Sequence, residues 1–540
     1  MSEIPQVFSL RHRFEFEPDI EASWRLYGEK PPLLIDNAKL ADDLEYLFSV
    51  SRKIVNLAPI RGVSGRAQVL QALVQRIEIE SNRRVGLALV AAACTLASTP
   101  DEVAEVWEAV QDHSLFRLPV EELLVAQRSK LGLRVWRSRL ESSGDSGTHA
   151  RLVAIEGLGA AGGLRDLKIL RLIFEDSNEL ITLRISAAKS LGQIAAVDLE
   201  DLARKQLGST DIQKELMASF LLSQHRSDEA VSMLTSIIES DAVAAQLVSF
   251  RALINAKPAT AREYVDQFKS AADSTLRLEV IRLSAKLNDA KSVQCLSAGL
   301  GDQVQGNREA ARSALKLKAM TPELRSIVIQ QLDGLLQDAD YLQREQACLL
   351  AGELAYQEAC PELLNLVNDP HPRTRNAAAW ALQELVHEPE HLRRIEKILA
   401  DATQRNFGKE PLALTEAVRV AFLVEALGRN NFGSANRTLV RYVRKGSAEP
   451  VLRAAAIWTL GKNLRGNPNR QLANMLAQRL NDTSPSPESP LVQYVCAIAL
   501  GMMGDLSSES ELRRHTTRPP FPIGLAREWA LKQYDAEQSN

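Results

Sequence analysis

Three short motifs in this sequence could do chemistry if the chain around them gave the right support. His387 and His391 form the pattern HEPEH, which matches a zinc-protease motif. That motif works only on a continuous helix, where both histidines share one face. Pro389 lies between them, where we expect a new helix to begin. We therefore expect no metal site here, and no other region supplies a convincing third ligand.

The other two motifs are rich in glycine. Residues 157–162 read GLGAAG, the spacing of a dinucleotide-binding loop, but such a loop needs a strand before it and a helix after it. Residues 144–147 read GDSG, like the nucleophile loop of trypsin-like proteases, but they lie in a polar stretch, residues 141–148, that is typical of a linker. The sequence therefore predicts no catalytic residue, no cofactor and no enzyme activity. A dispersed site assembled from distant segments stays an open alternative.

Charged residues are spread unevenly along the chain. Of 540 residues, 45% are hydrophobic and 25% are charged, which excludes a disordered chain, and the formal net charge of −3 excludes a strongly basic DNA-packaging protein. Residues 174–245 contain 12 acidic and 6 basic residues, whereas residues 429–479 contain 10 basic residues and one acidic residue, Glu449. The second segment has a net charge of +9 and indicates a surface for an anionic partner.

The spacing within this basic segment suggests a binding face. Arg437, Arg441, Arg444 and Lys445 lie at i, i+4, i+7 and i+8, so a continuous helix would place them on one face. Basic residues in the neighbouring predicted helices extend the set. The predicted partner-binding residues are Arg393, Arg394, Lys397, Arg437, Arg441, Arg444, Lys445 and Arg470. An acidic protein surface is favoured as partner over nucleic acid, because the net charge is −3 and only 5% of residues are aromatic. The alternative is a solvated face balanced by nearby carboxylates.

An internal repeat determines how these residues are positioned. Residues 183–194, LRISAAKSLGQI, have Arg at position 0, a small residue at +3, Leu at +7 and Gly at +8. The pattern recurs about every 34 residues. Its position 0 is occupied by Arg151, Arg184, Lys214, Gln246, Arg277, Arg308, Arg344, Arg375, Val420, Arg453 and Gln493.

Each repeat predicts a helix, a turn and a second helix. Positions +3, +4 and +7 share one helical face and form an apolar stripe. Gly at +8 is expected to end the first helix in a left-handed conformation. A proline often opens the second helix, as at Pro322, Pro361, Pro389 and Pro468. Such units bury their apolar faces only by stacking, which predicts an α-solenoid.

The segments LRISAAKSLG and VLRAAAIWTLG resemble HEAT repeats, in the short bacterial form found in phycobilisome lyases. The resemblance extends over about residues 148–506. It implies an all-α, right-handed α-solenoid of about 11–14 repeats, in which second helices line the concave surface and place the basic residues in a groove. We further expect the position-0 arginines to pair with carboxylates in the preceding loop, as in Asp340 with Arg344 and Asp273 with Arg277.

The ends of the chain differ from the repeats. Residues 1–37 are predicted to form an extended segment and cap, because Phe8, Leu10, Phe14 and Phe16 alternate with polar residues. Residues 38–147 are read as degenerate helical repeats, residues 148–506 as the HEAT-like solenoid and residues 507–540 as a C-terminal cap. Two long repeats carry inserted loops, at residues 401–415 and 484–490.

The sequence favours a cytoplasmic protein. It starts without a signal peptide, shows no apolar run long enough to cross a membrane, and has five scattered cysteines with no CxxC pair. We expect those thiols to be reduced core residues. The favoured function is a non-enzymatic scaffold or adaptor that binds a macromolecule along the concave surface. The alternatives are a lyase or isomerase acting on a protein-bound chromophore, and a DNA-binding HEAT-like protein.

Overall fold

The computed structural model describes residues 66–80, 83–113, 116–141, 147–207, 211–408, 411–482, 484–515 and 522–538. All regular secondary structure in these ranges is helical. The described residues fall into two compact units that divide between Leu283 and Ser284. The division lies inside one helix, so it does not coincide with a linker.

The first unit is built from short helices joined by tight turns. Its helices are α1 (Arg66–Ile79), α2 (Arg83–Leu96), α3 (Pro100–Val110), α4 (Arg117–Ala126), α5 (Leu133–Glu141), α6 (Thr148–Ala161), α7 (Leu167–Glu175), α8 (Ile181–Ile194), α9 (Glu200–Leu207), α10 (Ile212–Leu221), α11 (Asp228–Ile238), α12 (Val243–Ala256), α13 (Pro258–Glu263), α14 (Val265–Phe268) and most of α15 (Ser274–Lys286).

The second unit continues the same alternation of first and second helices. Its helices are α16 (Ala290–Gly299), α17 (Gln305–Lys318), α18 (Pro322–Leu336), α19 (Tyr341–Glu353), α20 (Cys360–Leu366), α21 (Pro372–Leu385), α22 (Pro389–Asn406), α23 (Leu414–Arg429), α24 (Asn436–Leu439), α25 (Pro450–Asn463), α26 (Arg470–Leu480), α27 (Pro490–Met503), α28 (Glu509–Arg514) and α29 (Pro522–Gln538).

The helices of the second unit form two rows. The first helices of successive repeats, from α17 through every odd-numbered helix to α29, pack directly on one another. The second helices cover this row on one side, and α22, α24, α26 and α28 belong to them. The predicted all-α fold of stacked helix-turn-helix repeats is therefore confirmed in the part of the chain that the structure describes. Its right-handed sense, its total number of repeats and the predicted domain boundaries stay predictions, and the N-terminal extended segment lies outside the described residues.

Local sequence signals explain where the helices begin. Pro322, Pro361 and Pro389 occupy the first turns of α18, α20 and α22, as predicted. Pro468 is different: it precedes α26, whose N-cap is Asn469, and the Asn469 side chain accepts a hydrogen bond from the Leu472 amide.

The glycine at position +8 does not end the first helix. Gly352, Gly428, Gly461 and Gly501 all lie inside helices, and none has a positive φ. Each faces the next first helix instead. A Cβ added at Gly461 would lie 2.8 Å from the Ala499 Cα, which is closer than real Cβ atoms approach. The correct explanation for this glycine is therefore close helix–helix packing rather than a helix stop.

The position-0 arginines do form a regular ladder, and the hydrogen bonds that four of them share go to backbone carbonyl oxygens. Arg277, Arg308, Arg344 and Arg375 each donate to the carbonyl oxygens six and five residues earlier, in the turn before their helix. Each guanidinium thus satisfies acceptors that the turn leaves unpaired.

The carboxylate that Arg344 binds belongs to the next repeat. Its Nε and Nη2 donate to Asp369 at 2.7 and 3.0 Å, so the pair joins two repeats. Asp340 instead accepts from the Leu342 amide as the N-cap of α19, and Asp273 accepts from the Thr275 and Leu276 amides. These aspartates stabilise the first turns of their own helices.

The cysteines are not arranged for redox or metal chemistry. Cys348, Cys360 and Cys496 are buried, Cys94 and Cys295 are half-buried, and all five are free thiols. Burial raises the pKa of Cys94 to about 12 and that of Cys360 to about 11, so both thiols are neutral near pH 7. No described helix combines the length and the apolar character that crossing a membrane requires.

Candidate functional site

The first part of the predicted basic face lies on α22. This helix buries Leu392, Ile395 and Leu399 against the rest of the unit and leaves the opposite face in water. Arg393, Arg394 and Lys397 are exposed on that opposite face, as predicted. Arg394 Nη2 donates to Asn365 Oδ1 at 3.2 Å, a neutral partner that leaves the charge of Arg394 unbalanced.

The second part lies on a helix that is shorter than predicted. Helix α24 ends at Leu439 and continues only as a 3-10 turn, Val440–Val443. The chain is extended at Arg444 (φ −64°, ψ 136°), so one helical face cannot hold all four predicted residues. The Arg453 guanidinium donates to the carbonyl oxygens of Tyr442 and Val443 at the end of this turn. Arg437, Arg441 and Arg444 are nevertheless all exposed.

Arg441 is held in place by an aromatic ring that the sequence did not point to. Its guanidinium carbon lies 4.2 Å above the centre of the Phe407 ring, at the end of α22. Phe407 packs edge-on against Tyr442, with ring centres 5.3 Å apart, and the buried Tyr442 hydroxyl bonds to Thr403 Oγ1 at 2.8 Å. This chain of contacts joins two second helices and orients Arg441 toward solvent.

Lys445 does not belong with the exposed cations. Its Nζ contacts Asp482 Oδ2 at 2.5 Å and Ser484 Oγ at 2.8 Å, and it also bonds to the Ser486 carbonyl oxygen. The bonds from Lys445 and Ser484 hold the pKa of Asp482 well below its ordinary value. Lys445 therefore fastens the loop that contains residues 484–490 to the preceding repeat.

A buried ion pair holds the other end of the same loop. Arg453 Nη1 and Nη2 donate to Glu488 at 2.8 and 2.6 Å, and both side chains are almost fully buried. A paired and fully hydrogen-bonded charge is the condition under which burial is tolerated. The inserted loop is thus anchored at two points, and its position is set by the fold.

Arg470 is the first residue of α26 and is exposed. A cation at a helix N-terminus opposes the helix dipole, so this arginine does not stabilise its own helix electrostatically. Lysines and arginines near a helix C-terminus stabilise the helix, and Arg479 lies at that end of α26. Its side chain is 4.0 Å from Asp482.

Part of the charge of residues 429–479 is balanced in three dimensions. Arg429 contacts Glu384 and Glu425, while Lys445, Arg453 and Arg479 contact Asp482 or Glu488. The seven remaining predicted residues form no ion pair with any residue in the described ranges, and we name them the basic surface. The basic surface consists of Arg393, Arg394, Lys397, Arg437, Arg441, Arg444 and Arg470.

The first helices carry charges of both signs that pair along the row. Arg312 contacts Glu353 at 3.1 Å, Arg373 contacts Glu345 at 3.0 Å, and Arg429 contacts Glu384 at 3.1 Å. These ion pairs balance part of the charge of the first helices.

The two rows of helices pack through different contacts. The +8 glycines bring the first helices close together, whereas the neighbouring second helices α22 and α24 contact each other through side chains such as Phe407 and Arg441. That the second helices line a concave groove stays a prediction.

The motifs set aside on sequence grounds have ordinary structural positions. His387 Nδ1 lies 3.2 Å from Asn430 Oδ1, and Pro389 begins α22, so the HEPEH residues span a turn. GLGAAG forms the end of α6 and its following turn. Among the described residues, no group of three His, Cys, Asp or Glu side chains could hold a metal ion. The GDSG residues lie mostly outside the described ranges.

The solved structures that are similar to this chain are long helical-repeat proteins at low identity. A Kap121p mutant structure is 12% identical, with a TM-score of 0.47, and covers 92% of this chain and 57% of its own. Importin beta is 12% identical, with a TM-score of 0.49, and covers 92% of this chain and 72% of its own. The chain therefore spans little more than half of the Kap121p structure. TM-scores below 0.5 do not bear on the function of this chain.

The complex of CpcE and CpcF of phycocyanin lyase from Nostoc sp. matches a smaller part of this chain. It is 17% identical, with a TM-score of 0.30, and covers 45% of this chain and 94% of its own. No curated protein matches the sequence. The family model for HEAT repeats matches residues 330–406, which comprise the end of α18 through α22. The resemblance to HEAT repeats is thus confirmed over residues 330–406.

Proposed function

We propose that this chain is a non-enzymatic scaffold or adaptor that binds the acidic surface of a protein partner through the basic surface. The observation that carries the proposal is a set of seven exposed cations on the second helices α22, α24 and α26 and in the turn that follows α24. None of them is ion-paired within the described residues. Neighbouring cations that serve the fold, such as Arg453 and Lys445, are paired instead. The unpaired set is therefore available to a partner's carboxylates.

The expected contribution of these cations is selectivity and fast association. An exposed ion pair contributes about 0.2–1 kcal/mol, so charge alone does not give a stable complex. Clustered charges do raise the rate of encounter, and this effect weakens as salt screens them. Arg441 is partly immobilised on Phe407, so it loses less side-chain freedom on binding than the other arginines.

The aromatic side chains favour a protein over nucleic acid. Single-stranded nucleic acid binds to exposed aromatic rings that stack on its bases. Two aromatic residues lie next to the basic surface. Tyr442 is fully buried, and the face of the Phe407 ring is covered by Arg441. Neither of these rings offers a free face on which a base could stack. We retain the predicted residues other than Lys445 and the cytoplasmic location inferred from the sequence. That these residues line a concave groove stays a prediction.

A capture experiment tests this proposal. The full chain is immobilised, exposed to a lysate of its source organism and washed at two salt concentrations. The Debye length is about 10 Å at about 0.1 M salt and about 3 Å at about 1 M salt, so only the second wash screens the exposed charges strongly. Bound protein and nucleic acid are both quantified. We expect an acidic protein that is retained at low salt and released at high salt.

A matched pair of variants gives this experiment its control. The test variant is Arg437→Glu, Arg441→Glu and Arg444→Glu, and the control variant is Lys168→Glu, Lys205→Glu and Arg226→Glu, three exposed cations of the first unit. Both variants change the net charge equally. The proposal requires the partner to be lost from the test variant only; equal retention by both variants, or capture of nucleic acid alone, would contradict it.

A further inference from the structure

Five serines or threonines of this chain directly precede a proline, and the fold explains three of them. Thr99, Thr321 and Ser489 occupy the N-cap positions of α3, α18 and α27, with the proline in the first turn of the helix. The other two, Ser484 and Ser486, begin no helix and are exposed in the inserted loop. A serine before a proline is also the sequence that proline-directed protein kinases modify.

The Ser484 hydroxyl lies beside cations. Its Oγ accepts a hydrogen bond from Lys445 Nζ at 2.8 Å and donates one to the Ser486 carbonyl oxygen at 2.9 Å. Both bonds are exposed to solvent, so water replaces them at little cost when the hydroxyl reacts. Arg479 lies 4.0 Å from Asp482, the carboxylate that Lys445 also contacts. Two cations therefore share one carboxylate next to Ser484.

We propose that Ser484 is a phosphorylation site, and that Lys445 and Arg479 bind the phosphate group that it acquires. The phosphoryl donor is a nucleoside triphosphate held by a protein kinase. The Ser484 Oγ forms a bond to the γ-phosphorus, the bond from that phosphorus to the bridging oxygen breaks, and the nucleoside diphosphate leaves. The hydroxyl proton passes to a base of the kinase.

The phosphate would compete with Asp482 for the two cations. Hydrogen bonds from Lys445 and Ser484 hold the pKa of Asp482 well below its ordinary value, so this carboxylate stays charged. A phosphate group has a charge of about −1.5 to −2 at pH 7 and three acceptor oxygens, whereas the carboxylate has a single charge. The phosphate is therefore the stronger acceptor for Lys445, and the loop stays attached there after modification.

The modification would also reduce the positive charge near the basic surface, and this consequence rests on the function proposed above. Arg444 directly precedes Lys445, and side chains of this length on adjacent residues keep their charges within about 20 Å of each other. The Debye length is about 30 Å at about 0.01 M salt, so the phosphate lowers the positive potential at Arg444. We therefore expect phosphorylation to weaken the binding of acidic partners.

Incubation of the full chain with a proline-directed serine kinase and ATP tests the site, and mass spectrometry identifies the modified residues. Ser486→Ala removes the neighbouring hydroxyl, and Ser484→Ala is the matched control. We expect phosphate on Ser484 in the Ser486→Ala chain. Absence of phosphate from Ser484 would overturn the proposal, and modification of a synthetic peptide of residues 479–491 in the same reaction would show that the fold withholds the hydroxyl.

Phosphorus NMR of the modified chain tests whether Lys445 binds the phosphate. The pKa of a serine phosphate is ordinarily about 6, and a nearby cation lowers it. We expect this pKa to be about 0.5 lower in the modified chain than in the modified Lys445→Met chain, as an exposed ion pair predicts. Lys397→Met on α22 is the control and should leave the pKa unchanged. Equal pKa values in all three chains would overturn the assigned contact.

Fluorescence anisotropy with a labelled polyglutamate peptide tests the consequence for the basic surface. At about 0.01 M salt we expect the phosphorylated chain to bind this peptide at least about threefold more weakly than the unmodified chain, and equally at about 1 M salt. Equal binding at low salt would overturn the proposed regulation.

A charge-reversal variant separates this result from the function itself. If the unmodified chain binds polyglutamate no better than the Arg437→Glu, Arg441→Glu, Arg444→Glu variant does, the proposed function is wrong and the regulation falls with it. Phosphate found on Ser484 and paired with Lys445 would still support the modification site in that case.

Discussion

The indole ring of Trp380 packs over Gly352 of the preceding first helix, so closely that a Cβ at Gly352 would lie 2.6 Å from Trp380 Cζ3. The same relationship places Trp458 over Gly428, at 2.7 Å for the corresponding atoms. The glycine and the tryptophan thus form one contact that spans two repeats. It allows the first helices to approach more closely than helices with larger facing side chains.

Adding a methyl group at such a glycine should destabilise the second unit. In Gly461→Ala the new Cβ would meet the Ala499 Cα at 2.8 Å, and a backbone atom cannot move aside as a flexible side chain can. We expect a loss of about 1–3 kcal/mol in the free energy of unfolding, the usual cost of overpacking, measured by urea denaturation.

The matched control for that substitution is Gly334→Ala in α18. A Cβ at Gly334 would meet nothing within 4 Å, so alanine should raise the stability by about 0.5–1 kcal/mol through its better helix propensity. If both substitutions stabilise the protein, the first helices are not packed as closely as described.

The sequence predicted the repeat but not the role of its glycine. The spacing of Arg, a small residue, Leu and Gly was enough to place the first helices and their buried stripes. It predicted that the glycine at +8 ends the first helix and did not show what this glycine faces, because Trp380 belongs to the next repeat. A single sequence does not distinguish a glycine that ends a helix from a glycine that packs against a neighbouring helix.

The strained turn after α19 offers a stabilising substitution. Ala355 has φ 52°, in the left-handed region where a side chain costs about 1 kcal/mol. Ala355→Gly should therefore raise the free energy of unfolding by about 0.5 kcal/mol, after the greater freedom of glycine in the unfolded chain is counted. Thermal denaturation followed by circular dichroism measures the shift.

A helical alanine serves as the control for this change. Ala400 is exposed on α22, and Ala400→Gly should destabilise by about 1 kcal/mol. A loss of stability in both glycine variants would mean that the turn at Ala355 does not have the left-handed conformation.

The pair between Arg344 and Asp369 should make stability depend on acid pH. Burial disfavours the charged form of Asp369, but hydrogen bonds from Arg344 and the His371 amide outweigh burial and hold the pKa of this carboxyl below its ordinary value. The pair therefore stabilises fully above the unfolded-state pKa, near pH 4, and its contribution is lost as pH falls through the lower folded-state pKa. Asp369→Asn should cost about 3 kcal/mol at pH 7, and less as the pH falls below about 4.

Urea denaturation at a series of pH values measures this dependence. The exposed Asp401 provides the control, since Asp401→Asn should change stability little at any pH. A difference between Asp369→Asn and the wild type that stays constant from pH 7 to pH 3 would show that the carboxylate does not hold the two repeats together through its charge.

Lys445 should act on the inserted loop rather than on a partner. Lys445→Met keeps the length of the side chain and removes the ammonium group that binds Asp482, Ser484 and Ser486. We expect faster cleavage after Glu488 by a glutamate-specific protease, because the loop loses one of its two anchors. Lys397→Met, on α22, should leave the cleavage rate unchanged, and an equal rate in all three proteins would contradict the assigned role.

The candidate site was only partly visible in the sequence. Helical spacing identified Arg437, Arg441 and Arg444 as neighbours, and the structure leaves all three exposed. The spacing could not show that helix α24 ends at Leu439, nor that Lys445 is engaged by Asp482, which is 37 residues away. The contact between Lys445 and Asp482 joins two repeats, and the spacing within one helix does not reveal it. The contact between Phe407 and Arg441 also joins two repeats, so the sequence did not predict it.

The most direct test of the proposed basic surface is arginine-specific labelling with phenylglyoxal, read by mass spectrometry, in the presence and absence of the captured protein partner. The proposal predicts that the partner protects Arg437, Arg441 and Arg444 from the reagent and leaves the exposed Arg165 and Arg226 of the first unit unprotected. Protection should disappear at about 1 M salt, where exposed charges are screened within about 3 Å. A bound partner that leaves Arg437, Arg441 and Arg444 fully reactive would contradict the proposal.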